Sequence, residues 1–389
     1  MRKKYQAKFI ILLIISVITC SIWALANRPH MEPEWSGPIA GFSFSPFQQG
    51  ESPIEGRFPS VVAIQSDVAF ISRHTSSLRT YSVADTLTYV PLLAKSYGLD
   101  VTLGAWITGQ RVNDYKELDR LIEIANSHHN VKRIIVGNEA ILRNELDLPQ
   151  LIEYINYVKS KTRIPVSTAE TWTYWSKTPE LAKHVDFIAA HILPYWEGID
   201  VSAAVDFVAT HSQELREAYP DKPLLLAETG WPSRGRMRGD AVASVANQGI
   251  FLRNFIKMAK DTHLDYFIME AFDQPWKEVN EGAVGAYWGV FNTDKEAKFP
   301  FTGPILNVPQ WGALVGITIV LALFTIAIVL RDGDMFRKRA ISFLSSVVFI
   351  CITTLVWMVY DFTTQYVSWQ AVLLGTMLCI SALCVTLVV

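Results

Sequence analysis

Four long stretches without any charged side chain set the first constraint on how this chain can fold. Each has 18 to 21 residues, and they cover residues 9–26, 312–330, 340–360 and 371–389. A helix needs about 20 apolar residues to cross the hydrocarbon core of a bilayer. We therefore predict that the first stretch enters a membrane, and that residues 311–389 form a membrane domain with three transmembrane helices.

The rest of the chain has the composition of an ordinary soluble domain. All 72 charged residues lie among the 312 residues outside the four stretches. The charged fraction of that part, 72 of 312, is near the usual share of about 25%. The formal net charge of −2 lacks the basic excess that a nucleic-acid partner requires. All four cysteines lie inside the uncharged stretches, so the soluble part has neither a disulfide framework nor a thiolate metal site. We predict no metal ion and no cofactor.

Basic residues next to the apolar stretches predict the orientation in the membrane. Four lysines and arginines precede residue 9, and four more lie between residues 331 and 339. Loops rich in Lys and Arg stay in the cytoplasm, so the soluble domain should lie on the opposite side. Residues 1–27 are either a signal peptide, for which Ala24-Leu25-Ala26 would be the cleavage site, or a signal anchor that is kept. Both interpretations place the domain on the same side.

Short apolar runs alternate with helical patterns between residues 36 and 304, and this alternation predicts parallel strands joined by helices. About 270 residues suit a single (β/α)8 TIM barrel. The predicted strands are Ile39–Phe44, Ser77–Tyr81, Asp100–Trp106, Val131–Gly137, Pro165–Ala169, Phe187–His191, Leu224–Glu228 and Tyr266–Phe272. An open doubly wound sheet is the rival fold. It would need a glycine-rich phosphate turn after the first strand, where Phe42–Pro46 has none.

Acidic and aromatic residues stand at nearly every predicted strand end, where a barrel carries its catalytic groups. Aromatic faces stack on pyranose rings and carboxylates bind their hydroxyls, so this pattern predicts a sugar-binding cleft. Glu139 and Glu228 lie at the ends of the fourth and seventh strands. Two carboxylates on either side of a glycosidic bond can act as general acid and nucleophile, and a separation of about 5–5.5 Å leads to retention. Asn138 is suited to bind the sugar's 2-hydroxyl.

The motifs around both glutamates resemble those of glycoside hydrolase family 17. Gly137-Asn138-Glu139 and the run Glu228–Ser233 look like the two signatures of that family, and the second is the more specific. The family contains β-1,3-glucanases and β-1,3-glucan transferases built on a (β/α)8 barrel. The resemblance implies that Glu139 is the acid/base and Glu228 the nucleophile of a double displacement. The outcome would be hydrolysis, or glucanosyl transfer that can create β-1,6 branches.

The predicted substrate-binding residues are spread over several strand ends. The resemblance places Tyr81 and Tyr195 in the cleft and matches residues 272–277 with the family's strand-eight region. The full predicted set is Asn138, Tyr81, Arg79, Trp172, Tyr195, Trp231, Asp273, Trp276 and Lys277. For Arg79 a purely structural ion pair stays open, and for Asp273 a hydrogen bond behind the cleft is the second interpretation.

The arrangement of barrel and apolar stretches is similar to membrane-bound proteobacterial members of the family, often described as β-1,6-glucan synthases. In these, a periplasmic barrel precedes transmembrane helices, and a family 2 glycosyltransferase domain often follows. The resemblance implies a place in the bacterial inner membrane, a periplasmic barrel acting on β-glucan, and a glycosyltransferase as partner. The alternative is a non-catalytic glucan-binding scaffold subunit of a membrane glucan synthase, which would tolerate the loss of either glutamate.

Overall fold

A computed structural model of the chain describes residues 2–331, 338–364 and 373–381. The chain divides into two compact units. One is Glu32–Gly303, and the other combines the segments Met1–Met31 and Pro304–Val389. The predicted third C-terminal span, residues 371–389, lies mostly outside the described residues. Residues 373–381 are described, and they are helical.

The unit Glu32–Gly303 is built around a closed barrel of eight strands, in which each strand is parallel to both of its neighbours. The predicted TIM barrel is therefore confirmed, and every predicted strand overlaps an observed one. The strands are β1 Phe42–Ser43, β2 Ser77–Arg79, β3 Asp100–Ala105, β4 Val131–Asn138, β5 Val166–Thr171, β6 Ile188–His191, β7 Leu224–Thr229 and β8 Asp265–Ile268.

Helices follow the strands as the alternating pattern predicts. In chain order the α-helices are α1 Arg2–Ala26, α2 Val61–Ile71, α3 Val90–Ser96, α4 Arg111–Ser127, α5 Leu148–Lys159, α6 Trp172–Lys177, α7 Pro179–Ala182, α8 Val201–Ala218, α9 Val245–Asp261, α10 Glu278–Glu281, α11 Trp311–Arg331 and α12 Lys338–Thr364. Side-chain caps fix several starts. Asp147 accepts a hydrogen bond from the Gln150 amide at 2.9 Å at the start of α5, and Ser244 does the same for Asn247 at 3.0 Å before α9. Such caps satisfy amides that would otherwise lack a partner.

Two buried clusters explain how sequence periodicity becomes a barrel. The larger one joins the outer faces of the strands to apolar helix faces, such as the predicted stripe Leu118, Leu121 and Ala125 of α4. The smaller one fills the barrel interior with Ile135, Ala169, Phe187, Ala189, Leu225, Ala227 and Phe267. On β4, β6, β7 and β8 these residues alternate with members of the larger cluster, because successive side chains point to opposite faces.

Within the described residues of the other unit, three helical segments are long and apolar enough to cross a membrane: Phe9–Ala26, Trp311–Ile328 and Phe343–Asp361. They lie in α1, α11 and α12, at three of the four predicted stretches. Ala322 and Ile326 of α11 pack with Val348 of α12 in a small buried cluster. Trp23 and Trp357 are in ring contact at 5.2 Å.

Candidate active site

The carboxyl ends of β2, β4, β6 and β7 bring four polar side chains together at one rim of the barrel. They are Arg79, Asn138, His191 and Glu228, and all four lie at or beside the final residue of their strands. His191 and Glu228 are register partners on adjacent strands. Parallel strands place all their carboxyl ends at the same rim, so residues up to 149 positions apart become direct neighbours.

Glu228 is buried and held by two donors. Its Oε1 accepts hydrogen bonds from Arg79 Nη1 at 2.5 Å and from the Tyr81 hydroxyl at 2.8 Å. Burial raises the pKa of Glu228, but the electrostatic interactions with His191 and Arg79 and these two hydrogen bonds outweigh it and lower the pKa to about 2. The carboxylate is therefore ionised over the whole neutral and mildly acidic range.

Glu139 faces Glu228 across one imidazole ring. His191 Nδ1 lies 2.7 Å from Glu139 Oε1, and His191 Nε2 lies 3.5 Å from Glu228 Oε1. The side chain of Glu139 is 22% exposed, whereas that of Glu228 is 6% exposed. Asn138 Oδ1 accepts from Arg79 Nη2 at 2.5 Å, so the same arginine holds Glu228 itself and the residue directly before Glu139.

The backbone bends sharply where β4 delivers Glu139. Gly137 has a φ of +79° and Glu139 a φ of +50°. A positive φ is uncommon for a residue with a side chain, and such conformations persist where the surrounding structure holds them. Here the Glu139 amide donates to the Ala169 carbonyl at 2.7 Å. The bend directs the residue after the strand into the rim.

Three further carboxylates are buried beside the pair. Glu170 accepts from the Ile141 amide at 3.1 Å, and its second oxygen has no hydrogen-bond partner among the described residues. Burial raises the pKa of Glu170 to about 7. Glu270 is 2.8 Å from Lys277 Nζ, and Asp273 is 2.7 Å from Lys298 Nζ. Burial also raises the pKa of Glu270 to about 7, although Lys277 opposes the shift.

Among the described residues, no group of three or more His, Cys, Asp or Glu side chains could hold a metal ion. Arg79, Lys277 and Lys298 are the cationic side chains that pair with the carboxylates of Glu228, Glu270 and Asp273, respectively.

The structure separates the predicted aromatic residues into two groups. Trp231 is fully buried, donates to the Val242 carbonyl at 3.0 Å, and packs beside Tyr195, which is 2% exposed. Both rings pack in the buried core, and their predicted part in substrate binding stays a prediction. Trp172 and Trp276 are partly exposed. Trp172 stacks on His211 with a centroid distance of 3.6 Å.

Lys277 and Asp273 are also almost fully buried, and each is occupied by a partner of opposite charge. Their predicted contact with substrate stays a prediction, as do those of Arg79, Tyr81 and Asn138.

Two residues at the rim were not among the site residues predicted from the sequence. His191 contacts Glu139, Glu228 and Arg79, yet a single histidine at a strand end carries no motif. Trp106, directly after β3, is 38% exposed, and the Arg143 guanidinium lies over its ring at 4.1 Å. Arg143 follows Glu139 by one turn, since its amide donates to the Glu139 carbonyl at 2.9 Å. In both cases the position at a strand end is the signal that could have drawn attention to them.

Comparison with known proteins identifies relatives of this barrel. The profile of the BtgE/BtgC glycoside hydrolase domain matches residues 41–289. A glucan 1,3-beta-glucosidase of Schizosaccharomyces pombe is 29% identical over 255 residues, covering 60% of this chain and 78% of that protein. The glucan endo-1,3-beta-glucosidase btgC of Emericella nidulans is 28% identical over 288 residues, covering 65% of this chain. The chain spans 43% of the length of that btgC.

Solved structures include a glycoside hydrolase family 17 beta-1,3-glucanosyltransferase from Rhizomucor miehei. It is 28% identical, with a TM-score of 0.60, and the match covers 68% of this chain and 97% of that one. An active-site mutant of that enzyme has been solved in complex with laminaritriose.

Proposed function

The chain belongs to the BtgE/BtgC glycoside hydrolase family, and from this premise we propose that it is a retaining glycosidase acting on β-1,3-glucan. The observation that carries the proposal is the arrangement of Glu139 and Glu228 around His191, with one imidazole ring in contact with both carboxylates. Two carboxylates on either side of a glycosidic bond can serve as its general acid and its nucleophile. The laminaritriose bound by the Rhizomucor miehei enzyme supports the same substrate class.

In the first step we assign Glu228 as nucleophile. It forms a bond to the anomeric carbon, and the bond to the leaving oxygen breaks while Glu139 donates a proton to that oxygen. Arg79 and Tyr81 hold the Glu228 carboxylate, so it is ionised and oriented before substrate arrives. Asn138, anchored by Arg79, would contact the 2-hydroxyl of the sugar under attack.

In the second step Glu139 acts as a base. It accepts a proton from water or from a hydroxyl of a second glucan, and that oxygen displaces Glu228 from the anomeric carbon. Water gives hydrolysis and a glucan gives transfer. We propose that either outcome belongs to periplasmic glucan metabolism.

The full chain in detergent, incubated with laminari-oligosaccharides, tests this proposal. Products shorter than the donor indicate hydrolysis, and products longer than the donor indicate transfer. Glu228→Gln should abolish both, with Lys159→Gln on the barrel exterior as the matched control. A variant that keeps full activity without the carboxylate of Glu228 would contradict the enzymatic proposal and favour the scaffold alternative.

We also propose that the domain boundaries predicted from the sequence hold and that the barrel lies in the periplasm, with the chain in a bacterial inner membrane. The basic residues that flank the apolar stretches support this orientation. A glycosyltransferase remains the proposed partner. Protease added to intact spheroplasts should degrade the barrel; complete protection until the membrane is lysed would contradict the orientation.

A further inference from the structure

An arginine-rich loop forms part of the rim beside the proposed nucleophile. Residues 233–240 begin four positions after β7 and contain three arginines in five residues, Arg234, Arg236 and Arg238, with one acid, Asp240. A neutral β-glucan offers only hydroxyls and apolar ring faces to its binding site. The proposed substrate therefore does not explain a concentration of guanidinium groups at this place.

The loop is fixed on both sides. The Ser233 amide donates to the Tyr287 carbonyl at 2.9 Å, and the Asp240 amide donates to the Gly198 carbonyl at 2.9 Å. Gly235 has a φ of +140°, and a Cβ there would lie 2.8 Å from that of Val284. The loop is thus wedged between the segment after β6 and the segment after β8, and its side chains project from a backbone with several fixed points.

Two of the arginines are held against aromatic rings and are not neutralised. The guanidinium of Arg234 lies 5.2 Å from the centre of the Tyr287 ring, and that of Arg238 lies 5.3 Å from the Trp196 ring. Neither arginine takes part in an ion pair with another described residue. Arg234 Nε is buried and has no hydrogen-bond partner among the described residues.

A stacked guanidinium keeps its N–H edge available. An aromatic ring beneath the guanidinium occupies its face, and the N–H donors at its edge form a fork that matches a carboxylate or a phosphate. Trp196 lies five residues after His191, and Tyr287 precedes the buried Trp288 that contacts Tyr195. The two forks therefore border the same rim as the catalytic pair.

We infer that this loop, residues 233–240, binds an anionic substituent, a phosphoryl or carboxyl group, carried by the glucan that the enzyme acts on. The inference rests on the proposed function, because it names the substrate class of the same site. The anion would bind at Arg234 and Arg238, beside the cleft, while the neutral sugar ring occupies the position between Glu139 and Glu228.

Binding to the full-length Glu228→Gln chain in detergent tests the inference without turnover. The probes are laminari-oligosaccharides and the same oligosaccharides phosphorylated on 6-hydroxyls, titrated at 20 mM and 300 mM NaCl. At low salt we expect the phosphorylated form to bind at least tenfold more tightly than the neutral form. The advantage should shrink at high salt, as screening of an exposed charge requires.

The added substitutions Arg234→Gln and Arg238→Gln should remove this advantage and leave the affinity for neutral oligosaccharide unchanged. The corresponding lysine substitutions, which keep the charge and lose the fork, should keep part of it. Arg111→Gln, on the exposed surface of α4, is the matched control. Equal affinity for the two oligosaccharides, or an equal loss for both in the glutamine variants, would overturn the inference.

Activity of the wild-type chain on neutral oligosaccharide, measured in parallel, tests the proposed function separately. A chain that is active on neutral glucan and shows no preference for the phosphorylated form contradicts only the inference. A chain that prefers the phosphorylated form and turns over neither contradicts only the proposed function.

Discussion

Arg79 and Glu228 form an ion pair inside the barrel mouth, with Nη1 2.5 Å from Oε1 and side-chain exposures of 1% and 6%. The pair links β2 to β7 across 149 residues of sequence. Removing one partner of such a pair leaves an uncompensated buried charge. Arg79 thus supports both the fold and the ionised state of the proposed nucleophile.

Arg79→Gln should destabilise the barrel and impair its chemistry. We expect a loss of about 3–5 kcal/mol in unfolding free energy and a fall in kcat/KM of roughly 100-fold or more. Without Arg79 the pKa of Glu228 rises, so activity should disappear at a higher pH on the acid side than in the wild type. Denaturant unfolding and the pH profile of kcat/KM measure both effects.

Arg111→Gln removes an exposed pair with Glu153, and exposed pairs contribute only about 0–1 kcal/mol. This control should leave the stability and the pH profile near those of the wild type. Equal profiles for Arg79→Gln and the wild type would contradict the role given to Arg79.

Glu170→Gln should change how stability depends on pH. Burial raises the folded-state pKa of Glu170 to about 7 from an ordinary value of 4.5. Between these pH values the folded chain holds a proton that the unfolded chain has released, so stability falls as pH rises. At about 1.4 kcal/mol per pKa unit, the loss of unfolding free energy caused by Glu170 amounts to roughly 3 kcal/mol.

The glutamine variant should lose that dependence and gain stability relative to the wild type between pH 5 and pH 8. Urea unfolding followed by tryptophan fluorescence at both pH values measures the difference. Glu123→Gln, at an exposed position of α4, provides the comparison. The same pH slope in Glu170→Gln and the wild type would show that Glu170 is not the group responsible.

His191→Asn should impair the protonation of the leaving group. We treat His191 as a positioning residue, because its Nδ1 lies 2.7 Å from Glu139 Oε1. We expect kcat on laminari-oligosaccharides to fall about 10–100-fold with little change in KM, which is a part of the roughly 100- to 10,000-fold that general acid catalysis usually contributes. A glycoside with a dinitrophenyl leaving group needs no proton and should lose much less.

His129→Asn, at an exposed position after α4, is the matched histidine control. Equal losses on both kinds of substrate in His191→Asn would show that the histidine has only a structural role.

The fold was readable from the sequence because strand periodicity and strand-end chemistry are local signals. Val131 to Gly137 and Leu224 to Glu228 predict strands from apolar runs alone, and Glu139 and Glu228 stand where those runs stop. Barrel closure then follows from eight such units. Arg79 was also predictable, because a cation at the end of a buried strand needs a partner of opposite charge at the same rim.

The direction of side chains beyond the strand ends was not readable. Trp231 lies in the most specific motif and points into the core, whereas Trp106 lies in no motif and is exposed. The alternation that orients residues within a strand stops where the chain turns into a loop. His191 depends on the register between β6 and β7, which places it opposite Glu228, and no local pattern specifies that register.

Trp106→Ala should shorten the stretch of glucan that the enzyme recognises. The exposed ring is braced by Arg143 and lies near the turn that follows Glu139. Loss of an aromatic stacking surface costs about 1 kcal/mol, or roughly a fivefold to tenfold loss of affinity. We expect kcat/KM to fall by that factor for laminarihexaose and to change little for laminaritriose.

Tyr97→Ala is the control, because Tyr97 is 40% exposed and precedes β3, whereas Trp106 follows it. This variant should leave kcat/KM unchanged for both laminarihexaose and laminaritriose. An equal loss for both chain lengths in Trp106→Ala would contradict a role in binding distant sugar units.

The central claim is that Glu228 forms a covalent bond to the sugar while Glu139 transfers the proton. A 2-deoxy-2-fluoro laminaribiosyl fluoride slows the breakdown of such an intermediate, and mass spectrometry of peptides from the inactivated full-length chain locates the attached sugar. The account predicts one disaccharide per chain, attached to Glu228, and no labelling in Glu228→Gln. A label on Glu139, or turnover with inversion and no covalent adduct, would contradict it.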